Sequence, residues 1–223
     1  RTVPYISKVT GIPIVDLAAR IIMGETIKGM GYTPGLAPTA DYIAIKMPVF
    51  SFEKLRGAEI SLGPEMKSTG EAIGYDRKFP RAMYKALIAS GVKMQNYGTV
   101  MVTLADGDKE EALPLIRRFY EMGFNIEATV GTGEFLKAHG IRTRIRRKLS
   151  ENSTEILEAI RSGYVSYVIN TRAILSGVHY EDGLAIRRTA IENNVTMFTS
   201  LDTVKVLLDV LEEITIGVSP LYA

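Results

Sequence analysis

The sequence contains no cysteine and only two histidines, His139 and His179. Without cysteine the chain forms neither a disulfide nor a thiolate metal site, and two histidines are too few for a histidine-rich one. No apolar run reaches the ~18 residues of a membrane span. The net charge is +2, with both signs spread along the chain. We therefore expect no bound metal, no membrane partner and no nucleic-acid partner, and the lack of cysteine suits the reducing cytoplasm.

The remaining composition is typical of a globular protein. Of 223 residues, 46% are apolar and 23% are charged. This length suits one and a half or two domains of about 100–200 residues each. The chain starts at Arg1 rather than at methionine and shows no signal-like segment. We therefore expect it to be a piece of a longer protein.

The first part of the chain predicts a mixture of helix and strand. Apolar residues recur at helical spacing over 14–22 and end before Gly24. Residues 42–52 alternate like a strand, in which Pro48 marks an edge or a break. A further helix is expected from Pro80 to just before Gly91. Residues 1–95 thus predict an α+β piece.

From residue 98 onward, strand-like runs alternate regularly with amphipathic segments. The expected strands are 99–104, 124–128, 142–147, 164–169 and 195–199. The expected helices are 108–122, 133–139, 153–162, 182–193 and 201–214. Strands alternating with helices indicate a mostly parallel sheet covered by helices. Residues 98–223 therefore predict an α/β/α domain, preceded by the α+β piece.

Polar residues follow the predicted strands, where open parallel sheets bind ligands. The second such loop places Thr129 and Thr132 around Gly131, directly before a helix. Backbone amides at a helix N-terminus and hydroxyl groups suit a phosphate, and Lys109 and Lys148 supply positive charge. The other polar strand-end candidates are Thr103, Asn170, Thr171, Arg172 and Thr199. These residues predict a phosphate pocket.

Each of these signals also has a simpler interpretation. Thr129 and Thr132 can serve only as an N-cap and turn, and either lysine alone can be solvated. The alternation of Arg142, Arg144 and Arg146 puts three arginines on one strand face. That face suits a nucleic acid, but a charged edge strand is the favoured interpretation because no aromatic residues are interleaved. For residues 187–188 (RR), the sequence does not decide between a second anion contact and ordinary surface charge.

The chain shows no catalytic constellation. No Cys–His or Ser–His–Asp arrangement is evident, and the Walker phosphate loop is absent. Carboxylates are numerous, but no spacing singles out a pair.

Several motifs resemble the large chain of carbamoyl-phosphate synthases. Residues 1–13 (RTVPYISKVTGIP) and 62–71 (LGPEMKSTGE) resemble the end of its second ATP-grasp unit. Four shorter motifs resemble its terminal methylglyoxal-synthase-like (MGS-like) domain: 107–109 (GDK), 128–132 (ATVGT), 169–171 (INT) and 186–188 (IRR). The resemblance covers nearly the whole chain and preserves the order of motifs. It implies a truncated ATP-grasp, carbamoyl phosphate synthetic region over 1–95 and an MGS-like allosteric domain over 98–223.

The resemblance also implies an activity and partners for the complete protein. Such a protein is a glutamine-hydrolysing, ATP-dependent C–N ligase that makes carbamoyl phosphate for pyrimidine or arginine biosynthesis. It uses ATP with Mg²⁺ or Mn²⁺ and works with the rest of the large subunit, a small glutaminase subunit and homo-oligomer contacts. Arg1 matches an arginine near the phosphates of that active site. The family's Mg-ATP carboxylates lie before it, so we expect the fragment to hold no cofactor and to be inactive.

The family's terminal domain binds UMP, and in some members IMP or PRPP, through the phosphate. The matching positions are Thr103, Lys109, Thr129, Thr132, Lys148, Asn170 and Thr171. Arg172 stands where some relatives carry threonine, and its guanidinium is expected to favour a ligand with more phosphate groups, such as PRPP.

A second departure concerns ornithine, which activates some relatives. Met47 stands where those relatives carry an acidic ligand, and a thioether cannot pair with an ammonium group. Thr199, another ornithine-site match, is present. A weak or absent ornithine response, typical of pyrimidine-pathway enzymes, is therefore expected.

Two other functions remain open at this point. One alternative for residues 98–223 is the function of a methylglyoxal synthase-type lyase. That family's catalytic aspartate, however, is not evident in 149–154 (LSENST). The other alternative is that the domain serves only in oligomer assembly.

Overall fold

The computed structural model describes residues 2–33, 35–54, 60, 63–171 and 177–216, without the side chains of residues 53, 177–180 and 216. The chain folds into two compact units. One comprises residues 1–49 and 68–91, and the other comprises residues 50–67 and 92–223.

The described residues of the first unit form three α-helices and a strand pair. Its elements are α1 (Thr2–Thr10), α2 (Ile14–Ile22), β1 (Ile43–Val49), β2 (Gly70–Asp76) and α3 (Phe79–Ala89). β1 pairs antiparallel with β2, and Pro48 lies within β1 opposite Glu71. The strand thus continues through Pro48, because a two-stranded pair has an unpaired edge on which a missing N–H is tolerated.

The core of this unit is small and lies between β2 and α3. Ala72, Ala82, Ala86 and Leu87 are buried there. Gly74 allows the two elements to approach closely, because a Cβ at that position would clash with the Ala82 carbonyl oxygen.

The second unit contains the predicted parallel sheet. Its strands are β3 (Thr99–Thr103), β4 (Asn125–Thr129), β5 (Thr143–Arg146), β6 (Val165–Asn170) and β7 (Thr196–Phe198). They are arranged in the order β5-β4-β3-β6-β7, and every neighbouring pair is parallel. The helices are α4 (Lys109–Glu121), α5 (Val130–Ala138), α6 (Glu155–Arg161), α7 (Gly177–Glu192) and α8 (Leu201–Ile216). The predicted α/β class is confirmed.

Two helices begin earlier than predicted. α5 begins at Val130 rather than at Gly133, because Thr129 has the extended conformation of an N-cap residue. α7 begins at Gly177 rather than at Asp182. The sequence predicted both starts too late, because glycine, found at 131 and at 177, is a weak helix former.

Helices cover both faces of the sheet. Val100 and Val102 belong to a core shared with α4, α5 and α8. Met101, between them, belongs to a second core shared with α6 and α7. Because strand side chains alternate between faces, Thr103 is on the same face as Met101. By the same alternation, Thr129 and Asn170 are on the α6/α7 face at the carboxyl ends of β4 and β6.

Two kinds of feature are absent from the described residues. None of the described helices is both long and apolar enough to cross a membrane. Within the same residues, no three His, Asp or Glu side chains are grouped as metal ligands.

Candidate functional site

A cavity lies at the carboxyl edge of the five-stranded sheet, where the chain order reverses between β3 and β6. Its volume is about 160 Å³, several times the roughly 30 Å³ of one water molecule. Reversal points of this kind are where open α/β sheets bind ligands. Five of the predicted site residues line it: Thr103, Thr129, Lys148, Asn170 and Thr171.

The hydroxyl groups around the cavity are linked to one another and to the backbone. The Thr129 hydroxyl donates to Thr132 Oγ1 at 3.3 Å, and the Leu104 N–H donates to the same atom at 3.4 Å. The Ala105 N–H donates to Thr171 Oγ1 at 2.9 Å. The Thr129 side chain makes no capping hydrogen bond to α5. Thr129 has the backbone conformation of an N-cap residue, but its side chain does not cap the helix. The interpretation that its side chain serves only as a helix cap is therefore wrong.

The two predicted lysines differ in their partners. Lys109 Nζ is 2.7 Å from Asp106 Oδ1 and donates to the Gly131 carbonyl oxygen at 3.1 Å. Lys148 is half-buried and lines the cavity. Among the residues that the structure describes, its ammonium group has no ion-pair or hydrogen-bond partner. Lys148 therefore brings to the cavity a positive charge that is not held in an ion pair with a described residue.

Asn170 joins the strand end to α7. Its Nδ2 donates to Thr103 Oγ1 at 2.6 Å, and its Oδ1 accepts from Arg187 Nη1 at 2.7 Å. The Thr103 hydroxyl donates to the Ile169 carbonyl oxygen at 3.4 Å. The result is a buried chain of hydrogen bonds that runs from α7 to β3.

The pair of arginines that the sequence left open divides between two environments. Arg187 is 6% exposed and lines the cavity, whereas Arg188 is exposed to solvent. Helical spacing around the apolar residues of α7 is the one sequence signal that separates the two.

Sequence reasoning did not identify the apolar and acidic wall of the cavity. Leu149, Ile156 and Ile186 form its apolar part. Asp182 also lines it, and its Oδ2 accepts from the Ser150 N–H at 3.1 Å. These residues come from the segment after β5 and from α6 and α7, and no motif links them.

Two other predicted residues, Thr199 and Met47, do not line the cavity. Thr199 is exposed after β7 and does not line the cavity. Met47 is half-buried in β1, opposite Ala72. Arg1 and Arg172 are outside the residues that the structure describes.

The arginines of β5 lie on an edge strand, as the favoured interpretation predicted. Arg146 donates from Nε and Nη2 to the two carboxylate oxygens of Glu127, at 2.7 and 3.2 Å. Hydrogen bonding to this carboxylate raises the pKa of Arg146. Arg144 Nη1 is 3.8 Å from Glu127, so two of the three arginines face a carboxylate of the protein itself.

Comparison with known proteins agrees with this geometry. The family model of the MGS-like domain matches residues 111–199. Residues 111–199 belong to the MGS-like domain family. This MGS-like domain has the five-stranded parallel sheet and flanking helices described above.

The match to a larger protein extends beyond the MGS-like domain. Over 212 residues, or 95% of its length, the chain is 57% identical to the carbamoyl phosphate synthase large chain of Agathobacter rectalis. The chain spans 20% of the length of that relative. The chain is thus homologous to part of this large chain, and the resemblance inferred from its motifs is confirmed. The α+β unit around β1 and β2 is compatible with the preceding ATP-grasp region.

Proposed function

We propose that the cavity of the MGS-like domain binds a phosphorylated nucleotide-type effector, namely UMP, PRPP or IMP, and thereby regulates a larger synthase. The observation that carries this proposal is the convergence of five polar strand-end residues on one cavity. In it, Lys148 supplies an ammonium group that forms no ion pair with any described carboxylate. A phosphate group is the anion that hydroxyls and a lysine together suit.

The two sides of the cavity suit the two parts of a nucleotide. Thr129, Lys148 and Thr171 supply a polar, positively charged side, while Leu149, Ile156 and Ile186 supply an apolar side. A phosphate on the first and a base or other flat group on the second would use both. Apolar pockets with a few fixed polar groups are typical small-molecule sites.

The activity of the complete protein is proposed from homology. A relative named carbamoyl phosphate synthase large chain supports an ATP-dependent C–N ligase. We expect that enzyme to use ATP with Mg²⁺ or Mn²⁺, to work with a glutaminase subunit in the cytoplasm, and to form homo-oligomer contacts. The proposed task of the present chain is effector binding, and we expect no carbamoyl phosphate synthesis from it alone.

A ligand titration tests the proposed binding. The melting temperature of the chain is measured against increasing UMP, IMP and PRPP, each in the parent, in Lys148→Ala and in Arg188→Ala. Ligand at a hundred times its dissociation constant stabilises the folded state by about 2.7 kcal/mol. We expect a saturable rise for at least one nucleotide in the parent and in Arg188→Ala, and a much weaker one in Lys148→Ala. No saturable shift with any of the three contradicts the proposal.

The preference among these ligands depends on Arg172. Its guanidinium is proposed to favour PRPP, whose diphosphate offers more acceptors. PRPP binding should therefore weaken more than UMP binding in Arg172→Ala. Equal affinities of parent and variant for both ligands would disprove this role.

A further inference from the structure

The orientation of the Asn170 amide follows from its contact with Arg187. A guanidinium only donates hydrogen bonds, so the amide atom that faces Arg187 Nη1 must be the oxygen. The amide nitrogen then faces Thr103, to which it donates at 2.6 Å. Arg187 thus determines which side of the amide reaches the cavity.

Arg187 reaches Asn170 by lying across Gly183, one turn earlier in α7. A Cβ at Gly183 would be 2.9 Å from Arg187 Nη1 and 3.4 Å from Asn170 Oδ1. The first of these distances is too short for a methyl group, so an alanine would displace the guanidinium. Gly183 is buried within the helix, where glycine is a poor choice unless space is required.

This arrangement leaves a hydrogen-bond donor beside the cavity. The amide nitrogen of Asn170 carries two N–H bonds, and only one is directed to Thr103. Among the described residues, the second N–H has no acceptor, although Asn170 is only 5% exposed. A buried donor without a partner is costly, and a ligand oxygen that accepted from it would remove that cost.

We propose that Gly183 and Arg187 form a positioning pair that fixes the Asn170 amide so that the cavity presents an N–H donor to an acceptor oxygen of the ligand. The ligand class rests on the proposed nucleotide-effector function. Arg187 acts here through Asn170. Gly183 acts by leaving room for the guanidinium.

A cycle of variants tests this proposal. The parent, Gly183→Ala, Arg187→Ala, the double variant and the control Arg188→Ala are compared by two measurements. The first is the NMR signal of the Asn170 side-chain NH₂, assigned by its loss in Asn170→Ala, and it needs no ligand. The second is the dissociation constant of UMP from calorimetry. A thermal melt of each variant establishes that it is folded.

We expect Gly183→Ala to shift the Asn170 NH₂ signals and to weaken UMP binding about tenfold, as for a lost hydrogen bond in a charge-assisted network. Arg187→Ala should do the same. The double variant should be no weaker than Arg187→Ala alone, because no guanidinium then remains to be displaced. Arg188→Ala should leave both measurements at the parent values.

Each contrary outcome has one meaning. Unchanged Asn170 signals in Gly183→Ala, or additive losses in the double variant, overturn the positioning pair. If the parent binds none of UMP, IMP and PRPP, the proposed function is contradicted, and the NMR comparison then still decides the positioning. If it binds IMP or PRPP but not UMP, that ligand replaces UMP in the second measurement. If Arg187→Ala does not fold, Arg187→Lys replaces it, since lysine keeps the charge but lacks the planar fork.

Discussion

Tyr167 and Gln95 exchange two hydrogen bonds: the tyrosine hydroxyl donates to the Gln95 carbonyl oxygen and accepts from the Gln95 N–H, both at 2.7 Å. The ring is fully buried and lies in contact with those of Phe119, Phe124 and Phe198. A residue in the middle of β6 thereby holds the segment that leads into β3.

The burial of Tyr167 predicts that the protein loses stability at alkaline pH. Burial raises the pKa of Tyr167 to about 12, from about 10 in the unfolded chain. Because the pKa of Tyr167 is higher in the folded state, its protonated hydroxyl contributes fully to the stability of the fold below pH 10. This contribution is lost as the pH rises toward 12. We expect the free energy of unfolding to fall by about 2 kcal/mol over that range beyond the effect of other groups. Denaturant titrations at pH 9, 10, 11 and 12 measure it.

The control for this titration is Tyr167→Phe. It removes the hydroxyl and therefore lowers stability at neutral pH, but its stability should fall less between pH 10 and 12 than that of the parent. Identical alkaline slopes would show that Tyr167 is not responsible.

The ion pair between Glu127 and Arg146 predicts a large stability effect. The Glu127 side chain is 6% exposed, so Arg146→Met would leave a buried carboxylate without its bidentate partner. Breaking a buried pair in this way costs about 3 kcal/mol or more. Urea denaturation at neutral pH measures the loss.

Arg144→Met is the matched control, since Arg144 faces the same carboxylate at 3.8 Å but is 69% exposed. Its removal should cost less than about 1 kcal/mol. Equal losses in the two variants would contradict the importance of the bidentate geometry.

Removal of the Asp106 carboxylate is expected to raise the affinity for the ligand. Its carboxylate lines the cavity, is 94% exposed and pairs with Lys109, a cation that the sequence predicts as a phosphate ligand. Asp106→Asn should raise the affinity for UMP about two- to fivefold at low ionic strength, and less in high salt. Asp202→Asn, at the exposed start of α8, makes the same change in net charge. An equal gain in that control would point to net charge alone.

A lyase assay separates the proposed effector site from an enzyme site. We expect no methylglyoxal from dihydroxyacetone phosphate, with a genuine methylglyoxal synthase as positive control. The described carboxylates of the cavity are both engaged: Asp106 pairs with Lys109, and Asp182 accepts from the Ser150 N–H. Formation of methylglyoxal that Asp182→Asn abolishes would instead identify a lyase.

The convergence of Thr103, Thr129 and Asn170 could be predicted from the sequence. Each ends a strand in a pattern typical of a parallel sheet, and in such a sheet the carboxyl ends share one edge. Their position on one face depends in addition on the strand register, which aligns Thr103 with Asn170 and Val102 with Ala128. Neither inference needed any knowledge of how the helices pack.

The partners of these residues could not be predicted in the same way. Arg187 contacts Asn170 across 17 positions of sequence, and the contact depends on how α7 lies over β6. Glu127 and Arg146 are 19 positions apart, and their pairing depends on the relative alignment of β4 and β5. The sequence predicted that α5 begins at Gly133 rather than at Val130, because glycine at 131 is a weak helix former and outweighed the signal of Thr129 as an N-cap.

β4 ends at Thr129 and α5 begins at Val130, with no residue between them. A flexible loop would absorb small movements at this point, but a direct junction transmits them. A force on the Thr129 side chain would act on the end of β4 and on the first turn of α5 at the same time. If an anion binds at Thr129 as proposed, it would therefore act directly on the start of α5, with no connecting loop between the sheet and the helix.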